Sequence, residues 1–169
     1  AIRGHGGAEP NPMVGCVITN RNGTIVGSGY HRTYGEAHAE INAIQSAGDE
    51  TLGGTAYITL EPCNHHGKTS PCTHALVESG IKRIVIGVED PHAEAGGGAE
   101  FLERSGLDVT IVNDALCHDL VVPFVHRLQT GMPWVICKWA QTIDGCIEPS
   151  NDGSQWISSQ ASLRMVHRE

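Results

Sequence analysis

Two short apolar runs, Thr55 to Leu60 and Arg83 to Val88, constrain the fold more than any other feature. They are separated by too many residues for a hairpin, and between them lies a helix-forming stretch, Thr73 to Ser79, closed by Gly80. Strands joined through a helix lie parallel in one sheet, and the crossover is right-handed. The second run is apolar without alternation, as expected of a strand covered on both faces. Another helix and strand follow, Ala99 to Ser105 closed by Gly106 and then Val109 to Val112. Upstream, Met13 to Thr19 and Thr24 to Tyr30 flank Asn20-Arg21-Asn22-Gly23 and read as a β-hairpin. Ala37 to Ala47 spaces Ala37, Ile41 and Ile44 as one face of an amphipathic helix, stopped by Gly48. A hairpin followed by alternating helices and strands predicts an α/β fold, a three-layer α/β/α sandwich whose parallel part starts at Thr55.

The pattern changes further along. Ala115 to Gln129 reads as a connecting helix broken by Pro123, and Thr130-Gly131-Met132-Pro133 as a boundary between domains 1–130 and 131–169. Beyond it, Trp134 to Ala140 predicts a strand, Asp144-Gly145 a turn, Cys146-Ile147 a second short run, and Ser159 onward a helix. That helix reaches Glu169 with no strand after it, so the second module is expected to be incomplete.

Charge narrows the function. Lys plus Arg number 11 against 19 Asp plus Glu, a formal net charge of −8, which argues against a general binder of nucleic acid or anionic membrane. A phosphate-bearing substrate must then be held by a local cluster of donors. No apolar run approaches the roughly 18 to 20 residues that span a bilayer. No basic-then-apolar leader is visible, so a cytoplasmic location is expected. Of the six cysteines, Cys16, Cys137 and Cys146 sit in or beside apolar runs and read as small buried hydrophobes. Cys63 and Cys72 each follow a proline in a polar, His-rich segment, which favours metal ligation over a disulfide.

The chemistry gathers there. Ala37-His38-Ala39-Glu40 opens the first helix, and Glu61-Pro62-Cys63 and Pro71-Cys72 follow a strand. A catalytic zinc takes three protein ligands and leaves one position to water; His38, Cys63 and Cys72 supply one imidazole and two thiolates. Glu40, two residues past His38, projects toward the open position as a general base and acid that takes a proton from the water and passes it to a leaving amine. His-x-Glu followed by Pro-Cys and a later Cys is the pattern of the zinc deaminases. A structural zinc site is the competing reading, with His65, His66 or His74 as fourth ligand.

The run Glu61-Pro62-Cys63-Asn64-His65-His66-Gly67-Lys68-Thr69-Ser70-Pro71-Cys72 resembles the deaminase half of the bifunctional riboflavin-biosynthesis deaminase/reductase family. Other deaminases of cytidine, deoxycytidylate or transfer RNA place only two residues between the cysteines. Pro10-Asn11-Pro12-Met13-Val14-Gly15, Gly29-Tyr30-His31, Gly35 to Glu40 and Gly87 to Pro91 match the same family. So do Lys138-Trp139-Ala140, Asp144-Gly145 and Gly153-Ser154-Gln155-Trp156-Ile157. The resemblance implies a cytidine-deaminase-like sandwich followed by the opening elements of a dihydrofolate-reductase-like domain, with the family's first helix missing or reduced to Ala1–Glu9.

The resemblance also implies a substrate, 2,5-diamino-6-ribosylamino-4(3H)-pyrimidinone 5′-phosphate, hydrolysed to the uracil derivative and ammonia, with Glu40 catalytic and zinc on His38, Cys63 and Cys72. Asn11 would bind the pyrimidine edge, and His65 and Lys68 the base and ribose phosphate; Asp90-Pro91 would shape the rim. In the reductase part, Ala140 and Trp156 would contact the nicotinamide cofactor and Ser154 the substrate, with NADPH bound only where the reductase domain is complete. A homo-oligomer is expected, with no nucleic-acid or membrane partner. His5, His92, His118, His126 and His167 show no ligand spacing and read as surface or packing residues. Two other functions compete: a zinc deaminase acting on another nucleobase or nucleotide, and a silent zinc scaffold. A scaffold has no use for Glu40.

Overall fold

The computed structural model describes residues 1–65, 70–92, 96–147 and 157–166. The chain divides into two compact units, Ala1–Pro133 and Trp134–Glu169.

The first unit is built on a five-stranded sheet: β1 (Gly15–Thr19), β2 (Ile25–Tyr30), β3 (Thr55–Leu60), β4 (Arg83–Val88) and β5 (Asp108–Ile111), in the order β2-β1-β3-β4-β5. β1 runs antiparallel to both β2 and β3, whereas β3, β4 and β5 are parallel. The hairpin turn forms as its residues require. Gly23 takes a φ of 79°, and the Asn20 side chain accepts from the Asn22 and Thr24 amides.

Three helices, α1 (Ala39–Ala47), α2 (Cys72–Glu78) and α3 (Gly98–Arg104), share a core with one sheet face, made of Ile18, Ile58, Ile84, Ile86, Leu76 and Leu102 among others. α1 starts two residues later than predicted and buries Ala39, Glu40, Ala43 and Ala47, not Ala37 and Ile41. Gly27 and Gly29 of β2 explain the difference. A Cβ at Gly29 would lie 2.3 Å from the Ala39 carbonyl oxygen, and one at Gly27 2.4 Å from that of Ala43. The helix therefore seats its alanine stripe directly on backbone, a contact that large side chains would prevent.

The other face is covered in part by α4 (Ala115–Thr130), where Val121 and Val125 pack on Leu60 and Val88. Tyr57 of β3 remains 47% exposed, so the sheet is not covered on both faces throughout. Pro123 does not break α4, which is helical across all 16 residues. The proline removes one backbone donor. Packing of Val121, the Asp114 cap on the Cys117 amide (2.9 Å) and a left-handed Gly131 at the far end offset that loss.

In the second unit, α5 (Gln160–Val166) forms after Ser159, whose hydroxyl accepts from the Ser162 amide. The turn at Asp144-Gly145 forms with Gly145 at a φ of 87°. The predicted strands at Trp134 to Ala140 and Cys146-Ile147 do not form. No strand among the described residues lies beside either run, and an extended segment without a ladder is not a strand. Cys137 and Cys146 are exposed there, not buried as expected, while Cys16 is buried in the core of the first unit. No described helix is long and apolar enough to cross a membrane.

Candidate metal and catalytic site

The carboxyl ends of β3 and β4 and the amino ends of α1 and α2 meet at one place, where open α/β sheets hold ligands. His38 is the N-cap of α1, with extended backbone, so its side chain turns away from the helix. Asn42 fixes that turn by donating to the carbonyls of Tyr30 (3.0 Å) and Ala37 (3.2 Å). Cys63 follows β3, and Cys72 opens α2 and donates its amide to the Cys63 sulfur at 3.4 Å.

These side chains converge. His38 Nδ1 lies 3.6 Å from Cys63 Sγ and 3.3 Å from Cys72 Sγ, and the three ligand atoms all lie within 4.8 Å of one another. Tetrahedral zinc with Zn–S near 2.3 Å and Zn–N near 2.0 Å separates its ligand atoms by roughly 3.5 Å, so the trio has the spacing and chemistry for that ion. Among the described residues these three form the group; His74 instead stacks on Phe101, ring centroids 5.0 Å apart. His65 lines the adjoining cavity.

The three side chains share protons closely. The Cys63 thiol is held low, first by the hydrogen bond from Cys72 and then by His38, and Cys72 is correspondingly high. The hydrogen bond to Cys63 also raises the affinity of His38 for protons. A divalent ion held by these atoms would take the place of the shared protons.

Glu40 stands beside the trio, 3% exposed, with Oε2 lacking any hydrogen-bond partner. Burial pushes its carboxyl up to about 7. It borders a cavity of about 370 Å³, whose wall includes Asn11, His31, His38, Cys63, His65 and Asp90. Glu40, Asn11 and His65 thus share one cavity with two of the three candidate metal ligands, His38 and Cys63. Lys68, Ser154, Trp156, His66 and His167 lie outside the described residues, and Ala140 sits exposed in an irregular segment.

Four residues of this wall were not singled out by sequence. His31 is buried, and desolvation lowers its affinity for protons; Nδ1–H donates to the Ala37 carbonyl (3.2 Å), which leaves Nε2 of the neutral ring to accept from Asn11 Nδ2 (3.3 Å). That pairing turns Asn11 Oδ1 away as the remaining acceptor. Glu61 is buried; its carboxylate accepts from the Asp90 amide at 3.0 Å and the Ala99 amide at 2.9 Å. Asp90 in turn accepts from the His92 amide at 2.8 Å, and burial raises the Asp90 carboxyl. His92, read as a surface or packing residue, instead borders the cavity with Nδ1 buried and unpartnered. Arg127 reaches the same wall from α4. His31 and Glu61 stood only inside the runs Gly29-Tyr30-His31 and Glu61-Pro62-Cys63 that match the resembled family, with no role of their own; the partners of Glu61 and Arg127 are remote in sequence.

A mixed five-stranded sheet that presents one His and two Cys beside a buried glutamate defines a zinc-dependent deaminase fold. Residues 1–88 match the model described as the cytidine and deoxycytidylate deaminase zinc-binding region, and residues 133–169 match the RibD C-terminal domain. The chain belongs to the cytidine and deoxycytidylate deaminase zinc-binding family. It is 42% identical over 170 residues to the riboflavin biosynthesis protein RibD of Escherichia coli, covering 98% of this chain and 46% of that protein. The crystal structure of a diaminohydroxyphosphoribosylaminopyrimidine deaminase/5-amino-6-(5-phosphoribosylamino)uracil reductase from Thermotoga maritima is similar at a TM-score of 0.85 and 38% identity, over 98% of this chain and 48% of that one. RibD of Acinetobacter baumannii gives 0.80 at 38% identity, covering 98% and 47%. The chain therefore spans about half the length of the relatives it matches.

Proposed function

We propose that this chain carries out the hydrolytic deamination of 2,5-diamino-6-ribosylamino-4(3H)-pyrimidinone 5′-phosphate in riboflavin biosynthesis, releasing ammonia and the 5-amino-6-ribosylaminouracil phosphate. The observation that carries this reading is buried Glu40, whose Oε2 has no hydrogen-bond partner, beside a His/Cys/Cys trio with zinc-ligand spacing, two of whose members line the same cavity. The name of the Thermotoga maritima relative supports the substrate.

His38, Cys63 and Cys72 would hold zinc with one position left open, where the ion would supply a water acidic enough to react near neutral pH. Glu40 moves the protons. Burial raises its affinity for protons; it would take one proton from the water and give it to the ring nitrogen, then take the second from the hydroxyl now on C2 and give it to the amine, so that the C2–N bond breaks, ammonia leaves and a C2 carbonyl remains. Asn11, held by His31, presents Oδ1 to N–H groups on the pyrimidine edge. His65 adds a contact to the base or ribose, and Lys68 one to the phosphate. The wall from Glu61 through Asp90 to His92 fixes the rim.

Domains 1–130 and 131–169 are the deaminase and the start of a reductase. In a protein carrying the whole reductase domain, Ala140 and Trp156 contact NADPH and Ser154 the substrate. A cytoplasmic homo-oligomer accords with the family resemblance. The deciding experiment is ammonia release from the diaminopyrimidine phosphate and from cytidine, before and after zinc chelation. Zinc-dependent turnover of the first alone supports the proposal, and equal or better turnover of cytidine overturns the substrate.

A further inference from the structure

We infer that Arg127 is an anion-recognising residue of the catalytic cavity and takes the phosphate of the phosphorylated substrate. The identity of that substrate rests on the deaminase reading above. The cavity wall carries four carboxyl side chains, Glu36, Glu40, Glu61 and Asp90, and the whole chain has a formal charge of −8. A phosphate monoester, near a double negative charge at neutral pH, cannot enter such a wall without a cation at the point of contact. Among the described lining residues Arg127 is the sole Lys or Arg.

Its placement is determined by the core. Arg127 stands in the last turn of α4, whose Val121 and Val125 pack on Leu60 and Val88, the final residues of β3 and β4. Those strand ends also lead into Glu61 and the metal-binding loop, so the distance between the guanidinium and the zinc trio is built into the sheet. Nη1 donates to the Pro10 carbonyl at 3.4 Å, beside Asn11, which tethers the guanidinium to the segment that meets the base. A guanidinium has five N–H donors in a planar fork, and one tether leaves enough for a phosphate. Phe124, about one turn earlier, and Leu128, the next residue, line the same wall and offer apolar surface to a ribose. An arginine near a helix C-terminus also complements the helix dipole. That role requires neither the tether to Pro10 nor a position in the cavity wall.

The test uses the full zinc-loaded chain, Arg127→Gln and Arg127→Lys, with the diaminopyrimidine ribose phosphate and its dephosphorylated ribonucleoside as substrates. Losing a charge-assisted contact lowers kcat/KM for the phosphate ester by about 10- to 100-fold, mainly through KM, and for the ribonucleoside by less than about threefold. Arg127→Lys keeps the charge without the fork and retains part of the preference. Equal losses on both substrates, or no loss on either, overturn the inference. Inorganic phosphate titrated into each protein and followed by 31P NMR reads the site without turnover. Binding to the parent protein that weakens in Arg127→Gln supports it, and absent or unaltered binding overturns it. If the parent protein deaminates neither substrate, the deaminase reading fails, and the phosphate titration alone decides the role of Arg127.

Discussion

Glu61 and Asp90 are joined by a hydrogen bond across two strand ends, the Asp90 amide donating to Glu61 Oε2 at 3.0 Å while Ala99 donates to Oε1 at 2.9 Å. Both carboxylate oxygens are acceptors for backbone donors, so an amide in that place must turn its NH2 toward one of them. Glu61→Gln is therefore expected to cost about 1–3 kcal/mol of stability. It should also lower kcat/KM, because Asp90 holds the His92 amide at the cavity rim. Urea denaturation and steady-state kinetics check this; a variant with parental stability refutes the double-acceptor role.

Glu40 yields a prediction on activity and another on stability. Glu40→Gln should keep zinc and lose ammonia release by about 100-fold or more, the scale of a lost general acid–base. The folded carboxyl titrates near 7, above its ordinary value of 4.5, so the metal-free folded chain retains a proton that the unfolded chain releases. Its contribution to stability is present below about pH 4.5, declines through the window up to 7 and is lost above it. Metal-free Glu40→Gln should thus exceed the parent in stability at pH 8, by about 2 kcal/mol, with no advantage at pH 4. Thermal melts at both pH values decide it.

Zinc and protons compete for the same atoms. Cys63 and Cys72 share a proton, and His38 has raised affinity for another. Zinc binding at neutral pH should release protons, and affinity should weaken as pH falls. Calorimetric titration in buffers of different ionisation enthalpy measures the release; a heat independent of buffer contradicts it.

Gly29→Ala tests how α1 is seated. The new Cβ meets the Ala39 carbonyl oxygen at 2.3 Å and the Ala43 nitrogen at 2.5 Å, backbone that cannot turn aside. The helix must shift, with a cost of about 2–3 kcal/mol, and His38 and Glu40, on either side of Ala39, shift with it. Lower zinc affinity together with lower stability is the expected result; loss of stability alone would separate the seat of the helix from the site.

His31→Ala should release Asn11 from its fixed orientation. Since Asn11 then presents oxygen and nitrogen alternately, KM should rise by about tenfold with a smaller change in kcat. An altered kcat with constant KM would place His31 in the chemical step instead.

The candidate zinc trio and Glu40, which the structure brings together, were legible because their residue types are rare together and lie near helix and strand ends. Pro123 misled because a missing donor is local, whereas the packing of Val121 that offsets it is not. Trp134 to Ala140 misled in the other direction: apolar strand composition has no effect without a neighbouring strand. The alanine face of α1 was hidden because Ile41 and Ile44 are larger, and the glycines that select Ala39 and Ala43 lie on another element.

By itself, the sequence determined the order of strands and helices in the first unit, the hairpin turn, and the candidate ligand types His38, Cys63 and Cys72, since each follows from local residue chemistry. Only the tertiary structure decided that Glu61, His92 and Arg127 belong to the wall of the same cavity, and that His31 orients Asn11. Those roles depend on distances between residues as far apart as Pro10 and Arg127. Such distances are set by how α4 and the strand ends pack, which no short-range pattern of residues encodes.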